Sequence, residues 1–184
     1  MLKKYIALLF IGILCLTGVN AAAKGINIFA YPREAPQTPI YNPYGGEVKL
    51  SDFKGDFVLA IFWSRHCVPC IRELDDLNNF VLKTKDTGIK AILISKAEEW
   101  NNAEEQQKFL KKFKAQDVEF FVDKNGKLTD EFGIFTSPHT VLINKKAEEI
   151  GRIRGSVDWD DEDVIEYVYK LKSEYGDGTT NNDK

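Results

Sequence analysis

The sequence predicts an α/β fold, a mixed central β-sheet flanked by helices. Three observations carry this. Residues 57–63 form a continuous apolar, partly β-branched run, as a strand buried on both faces requires, and 89–94 read as a second buried strand. A segment with apolar residues at helical spacing follows each run. Two short apolar runs then flank a turn and precede a last helical segment. Strand-helix-strand-helix-strand, then a hairpin and a closing helix, is the element order of such a sheet.

The elements follow in order. Lys3 and Lys4, an uncharged apolar stretch from Tyr5, and the small residues Ala21 to Ala23 read as an export signal. The stretch nearly reaches the roughly 20 residues of a membrane span, so residues 1–23 are expected to be a cleaved signal peptide or an uncut anchor. Lys3 and Lys4 stay on the cytoplasmic side, and the remainder crosses. Residues 25–46, rich in Pro and Gly, read as an extended lead-in with turns. Within and after it, 38–41 and 47–50 pair as a small hairpin around Pro43 to Gly46. The strand at 57–63 leads into a helix from about Cys67, with Ile71, Leu74, Leu77 and Val81 on its inner face. After the strand at 89–94, residues 101–115 read as an amphipathic helix with Phe109, Leu110 and Phe113 as its apolar stripe. A third strand, 118–122, closes in the turn 123–126. Residues 140–143 and 149–154 form an antiparallel pair around 144–147. The last helix begins in an acidic cluster, Asp158 and Asp160 to Asp163, whose carboxylates complement its N-terminal dipole. Val164, Ile165, Val168 and Leu171 face inward. The domain is expected over 24–175. Residues 176–184 have nothing to bury and are expected to be a disordered tail.

Length and hydrophobic content, 184 residues and 43%, suffice for a core without staples. The formal charge of -3 argues against nucleic acid as a partner. Without Lys3 and Lys4 the balance is 23 basic against 28 acidic residues, a formal -5. Of three cysteines, Cys15 belongs to the signal stretch. Cys67 and Cys70 remain, to pair with each other or with a partner.

Cys67-Val68-Pro69-Cys70 follows a buried strand and opens a helix, which is a redox arrangement. Its spacing lets the two sulfurs close a disulfide within one helical turn. Cys67 lies where free backbone N–H groups stabilise a thiolate, and Pro69 suits a first turn whose N–H has no partner. Cys70, one turn inside, is the expected resolving thiol: Cys67 attacks a client disulfide, and Cys70 releases the client. The competing reading is metal, but a closed zinc site wants four ligands and the chain adds only His66 and His139.

Leu50 to Gly55, followed by 57–63 and Cys67 to Cys70, resembles the TlpA/ResA/CcmG branch of the thioredoxin superfamily. Glu34-Ala35-Pro36 resembles the branch's opening motif, and Gly155 to Asp161 with Trp159 resembles TlpA most. The resemblance runs over about 34–172. It implies a thioredoxin-like fold with an N-terminal β-hairpin extension, and thiol-disulfide exchange outside the cytoplasm. Ser137-Pro138-His139 resembles the loop in which a cis-proline faces the cysteines, so that Ser137 pairs with an extended partner segment. Glu73 stands where ResA-like proteins carry an active-site glutamate that takes a proton from the resolving thiol or raises thiol pKa. His66 departs from the family's usual residue before the first cysteine. As imidazolium it would stabilise the Cys67 thiolate, and as a neutral ring it would shape the groove. Ile61 stands where thioredoxin has a buried aspartate.

These readings give an expected site of Cys67, Cys70, Glu73 and Pro138, with His66, Val68, Pro69, Ser137 and His139 along the substrate groove. No cofactor is expected beyond a Cys67–Cys70 disulfide. The expected function is a periplasmic or inner-membrane-anchored reductase of client disulfides in cytochrome c or copper-protein assembly. A membrane thiol donor would recycle it, and it would touch the membrane only through an uncut N-terminal segment. Two alternatives stand beside it: a disulfide-forming oxidase or isomerase, and a copper chaperone using Cys67, Cys70 and His139.

Overall fold

The computed structural model describes residues 25–178; the expected export segment and residues 179–184 of the expected tail lie outside them. The strands are β1 (Ile26–Glu34), β2 (Ile40–Tyr41), β3 (Glu47–Val48), β4 (Phe57–Phe62), β5 (Ile89–Lys96), β6 (Glu119–Asp123), β7 (His139–Ile143) and β8 (Glu148–Arg154). The helices are α1 (Val68–Arg72), α2 (Leu74–Lys83), α3 (Ala103–Lys112), α4 (Lys127–Glu131) and α5 (Glu162–Tyr175). Among the described residues the strands form one sheet in the order β1-β8-β7-β4-β5-β6-β2-β3. The β4, β5 and β6 neighbours are parallel, and the other pairs are antiparallel.

All six residues of β4 are buried, as its unbroken apolar run demands, and it lies at the centre between β5 and β7. Successive strand residues face opposite ways, so β4 feeds two cores. Phe57, Leu59 and Ile61 join Leu74, Leu77, Phe80, Leu110, Val168 and Leu171 on the face carrying α1, α2, α3 and α5. Val58, Ala60 and Phe62 join Ile92, Phe121, Leu128, Phe132 and Val141 on the face carrying α4.

Three features depart from the sequence expectation. Residues 26–34 are a full edge strand, not a lead-in with turns: β1 lies along β8, and Gly151 leaves room for it, because a Cβ there would stand 2.7 Å from the Asn27 carbonyl oxygen. Pro32 is tolerated because an edge strand leaves one row of N–H groups unpaired. The expected hairpin forms as β2 and β3, but Tyr41 pairs with Val122, so it extends the sheet at the opposite edge. Residues 127–131 form α4 where no helix is expected. The fully buried Asp123 accepts hydrogen bonds from the Leu128 and Thr129 amides and the Thr129 hydroxyl, capping it from outside. At the other end, α5 stops at Tyr175, and Gly176 and Asp177 remain tied back. The Lys145 amide donates to the Gly176 carbonyl, and Lys145 pairs with Asp177 at 2.9 Å.

Candidate active site

The site forms where β4 ends. Trp63 leaves the sheet with its amide bonded to Ile94, and the chain turns through Ser64, Arg65 and His66 into α1. Arg65 anchors this turn. Its amide donates to Glu99 Oε2, its guanidinium to Glu105 Oε1 at 2.7 Å, and it lies 4.6 Å over the Trp100 ring. Trp63, Trp100 and Phe109 stack beneath, at centroid distances of 5.4–6.0 Å. Trp63 and Trp100 are thus packing residues.

Cys67 caps α1: its sulfur accepts the Cys70 amide at 3.3 Å. Cys67 and Cys70 are joined in a disulfide with Cα atoms 5.3 Å apart. Cys67 is half-buried and Cys70 is buried, while His66, Val68 and Pro69 are exposed around them. The Ser137–Pro138 peptide is cis, as the resemblance implies. It brings the Ser137 carbonyl oxygen to 3.4 Å from Cys67 Sγ, with Ser137 exposed and Pro138 buried.

The expected helix from Cys67 breaks at Glu73, which ends α1 and precedes α2. Its side chain turns inward, 6% exposed, and Oε2 accepts the Val157 amide at 2.9 Å. Burial pushes this carboxyl up to about 7. The Val157 amide and the Trp159 indole pull the other way, and Asp76 adds to the rise. The indole N–H does not complete a hydrogen bond. Trp159 itself is fully buried against Phe80. The loop 156–159 therefore positions Glu73, a role the TlpA-like stretch at 155–161 could have signalled.

His139 does not join the groove. It pairs with Phe62 across β4–β7 and shares a strand face with Val141 and Ile143, the face carrying α4, while Cys70 packs on the other. It is 4% exposed, and burial with Arg152 and Arg154 nearby lowers its pKa to about 4. Among the described residues no three His, Cys, Asp or Glu side chains gather as a metal-ligand set. The copper site of Cys67, Cys70 and His139 is therefore not assembled; period-two alternation turns the imidazole away from the sulfurs. The sequence reading also passed over Phe135, an aromatic two residues before Ser137 and almost wholly exposed.

Residues 33–169 match the Redoxin family. The thiol-disulfide oxidoreductase ResA of Bacillus thuringiensis subsp. konkukian is 30% identical over 142 residues, 76% of this chain and 77% of that protein. Among solved structures, a thiol:disulfide interchange protein from Bacteroides sp. superposes with a TM-score of 0.62 at 21% identity, covering 84% of this chain and 95% of that one. StoA from Bacillus subtilis gives a TM-score of 0.57 at 21% identity, covering 79% and 98%. These two establish the thioredoxin-like fold, and the family match with the ResA identity establishes the chemistry. The chain belongs to the Redoxin family, as a thioredoxin-fold thiol-disulfide oxidoreductase of the TlpA/ResA/CcmG type.

Proposed function

We propose that the chain acts outside the cytoplasm as a reductase of client disulfides in cytochrome c or copper-protein assembly. The buried Glu73, one turn from Cys70, carries the direction. A carboxylate there opposes a cysteine thiolate by like charge. A dithiol whose reduced form is poorly stabilised gives up its electrons readily, the reverse of the strong oxidants. The Cys67 sulfur receives one amide, that of Cys70, in support of its thiolate.

The half-buried Cys67 is the nucleophile. Its thiolate attacks a client disulfide, a Cys67–client bond forms, and the second client sulfur leaves as thiolate. Cys70, losing its proton to Glu73 or water, attacks Cys67; the Cys67–Cys70 bond forms and the client's first sulfur leaves. Client disulfide becomes dithiol, and the enzyme dithiol becomes disulfide. Pro138 and Ser137 hold the client segment against Cys67, with His66, Val68 and Pro69 bordering the contact. No cofactor is required. A membrane thiol donor returns the two electrons, and the N-terminal segment takes the domain to the periplasm or anchors it to the inner membrane. No helix among the described residues is long and apolar enough to cross a membrane.

Equilibration with glutathione measures the potential. A reductase lies well below the roughly -120 mV of the strongly oxidising periplasmic enzymes; a value near or above it would make the chain an oxidase or isomerase. Clients trapped on a Cys70→Ser variant are expected to include haem- or copper-site proteins, and their absence would sink the assembly role.

A further inference from the structure

Two buried indoles, those of Trp63 and Trp159, hold an N–H that meets no acceptor among the described residues. An unpaired buried donor is costly, so each calls for a physical reason. The third indole, that of Trp100, donates to the Ser95 hydroxyl at 2.8 Å. Trp63 stacks on Trp100 and Phe109. Trp159 lies instead against Phe80, with ring centroids 5.4 Å apart. Glu73 caps the start of α2 and Phe80 stands about two turns further along it, so both belong to one face of that helix. Val157, two residues before Trp159, gives its amide to Glu73 Oε2. The indole is the next donor in that loop, and its effect on Glu73 already opposes that of burial. Of the charged groups around the carboxyl, Asp76 on α2 opposes its ionisation. Arg72 on α1 is exposed, and Asp158 in the loop is exposed and acts on Asp76.

We propose that Trp159 is a positioning residue for the resolving step: its indole N–H closes onto the Glu73 carboxylate once that group has lost its proton, and so sets how readily Glu73 takes the proton of Cys70. The inference rests on the thiol-exchange reading above. A hydrogen bond to an ionised carboxylate is shorter and about twice as strong as one to a neutral group. The orphaned indole therefore gains its partner when Glu73 ionises. In the step it serves, the proton passes from Cys70 Sγ to Glu73. The electron pair left on that sulfur forms the Cys67–Cys70 bond, and the client sulfur leaves Cys67 as thiolate. With the indole and the Val157 amide both on the carboxylate, Glu73 is ionised at a lower pH than burial and Asp76 alone would allow.

The first arm of the test follows the indole N–H proton signals of the oxidised protein by NMR, where the disulfide cysteines do not titrate. Between pH 5 and pH 9 one of the three signals is expected to move downfield with the midpoint of Glu73, about 7, and to stay still in Glu73→Gln. No moving indole signal, or one that still moves in Glu73→Gln, would overturn the inference. This arm needs neither thiol chemistry nor a substitution of Trp159. The second arm follows release of a peptide thiol by the reduced protein under excess peptide disulfide, so that the resolving step limits. Trp159→Phe keeps a ring against Phe80 and removes the N–H. Release is expected to slow about tenfold at pH 6 and less than about twofold at pH 9. On a Glu73→Gln background the same substitution is expected to have no effect. An equal loss at both pH values, or a loss that persists on that background, would leave Trp159 only a packing role and overturn the inference. Release indifferent to Glu73→Gln would instead refute Glu73 as the proton acceptor, a result the indole signal tells apart.

Discussion

Two buried ionisable groups sit at the same end of the sheet, on opposite faces. Glu73, on the face carrying α1 and α2, is raised to about 7; His139, on the face carrying α4, is lowered to about 4. Both are driven toward their neutral forms by loss of water, and a perturbed pKa alone would flag both as functional. Their partners separate them. Glu73 accepts the Val157 amide and follows Cys70 by one helical turn, on the face of the sheet where Cys70 packs. His139 Nε2 is buried without a hydrogen bond, beside two arginines, with the sheet between it and Cys70. Desolvation makes a titrating group; only position relative to the sulfurs makes it useful.

The largest expected effect comes from the sulfurs. Cys67→Ser abolishes disulfide reduction of insulin, whereas Cys70→Ser still attacks and accumulates a mixed disulfide on Cys67. Retained turnover in Cys67→Ser would end the proposed assignment. The two titrating groups come next. Between pH 4.5 and about 7 the folded protein keeps the Glu73 proton that the unfolded chain has released. Stability contributed there is present below that window and is lost as pH rises through it, by up to about 3 kcal/mol. Glu73→Gln keeps an acceptor for Val157 and removes this loss, read by urea denaturation at pH 5 and pH 8. An unchanged difference between the two would show that Glu73 does not titrate there.

His139 predicts the mirror image. Its folded pKa lies below the unfolded 6.5, so its contribution is present above 6.5 and lost as pH falls toward 4. The size is again about 3 kcal/mol. His139→Gln is expected to flatten that acid limb in the same denaturation series. The smallest effect sharpens the comparison most: His139→Gln should change peptide-disulfide exchange at pH 7 by less than about twofold, because the ring is already neutral. A tenfold loss would return His139 to the groove.

Much of the site was legible because its chemistry is local. Cys67 and Cys70 lie three residues apart after an apolar strand, and helix geometry alone brings such residues together. Pro138 and Glu73 were legible only through resemblance, since neither spacing nor composition marks a cis bond or an inward carboxylate. What stayed hidden depended on distant partners. β1 exists because β8 accepts it across Gly151, and α4 because Asp123 caps it from the strand before. His139 was misplaced because a residue beside a groove loop can face either side of the sheet, and the β4–β7 register chose the far one.

By itself the sequence determined the order of the strands and helices other than β1 and α4, the central buried strand, and a cysteine pair at the start of a helix. Apolar periodicity and short-range geometry suffice for those. Tertiary structure decided the surroundings of the cysteine turn: the Ser137 carbonyl 3.4 Å from Cys67 Sγ, Glu73 turned inward onto the Val157 amide, and His139 on the opposite face of the sheet. Residues 70 or more positions apart meet only when the sheet is assembled, so register and face, which no local pattern encodes, set the chemistry at Cys67.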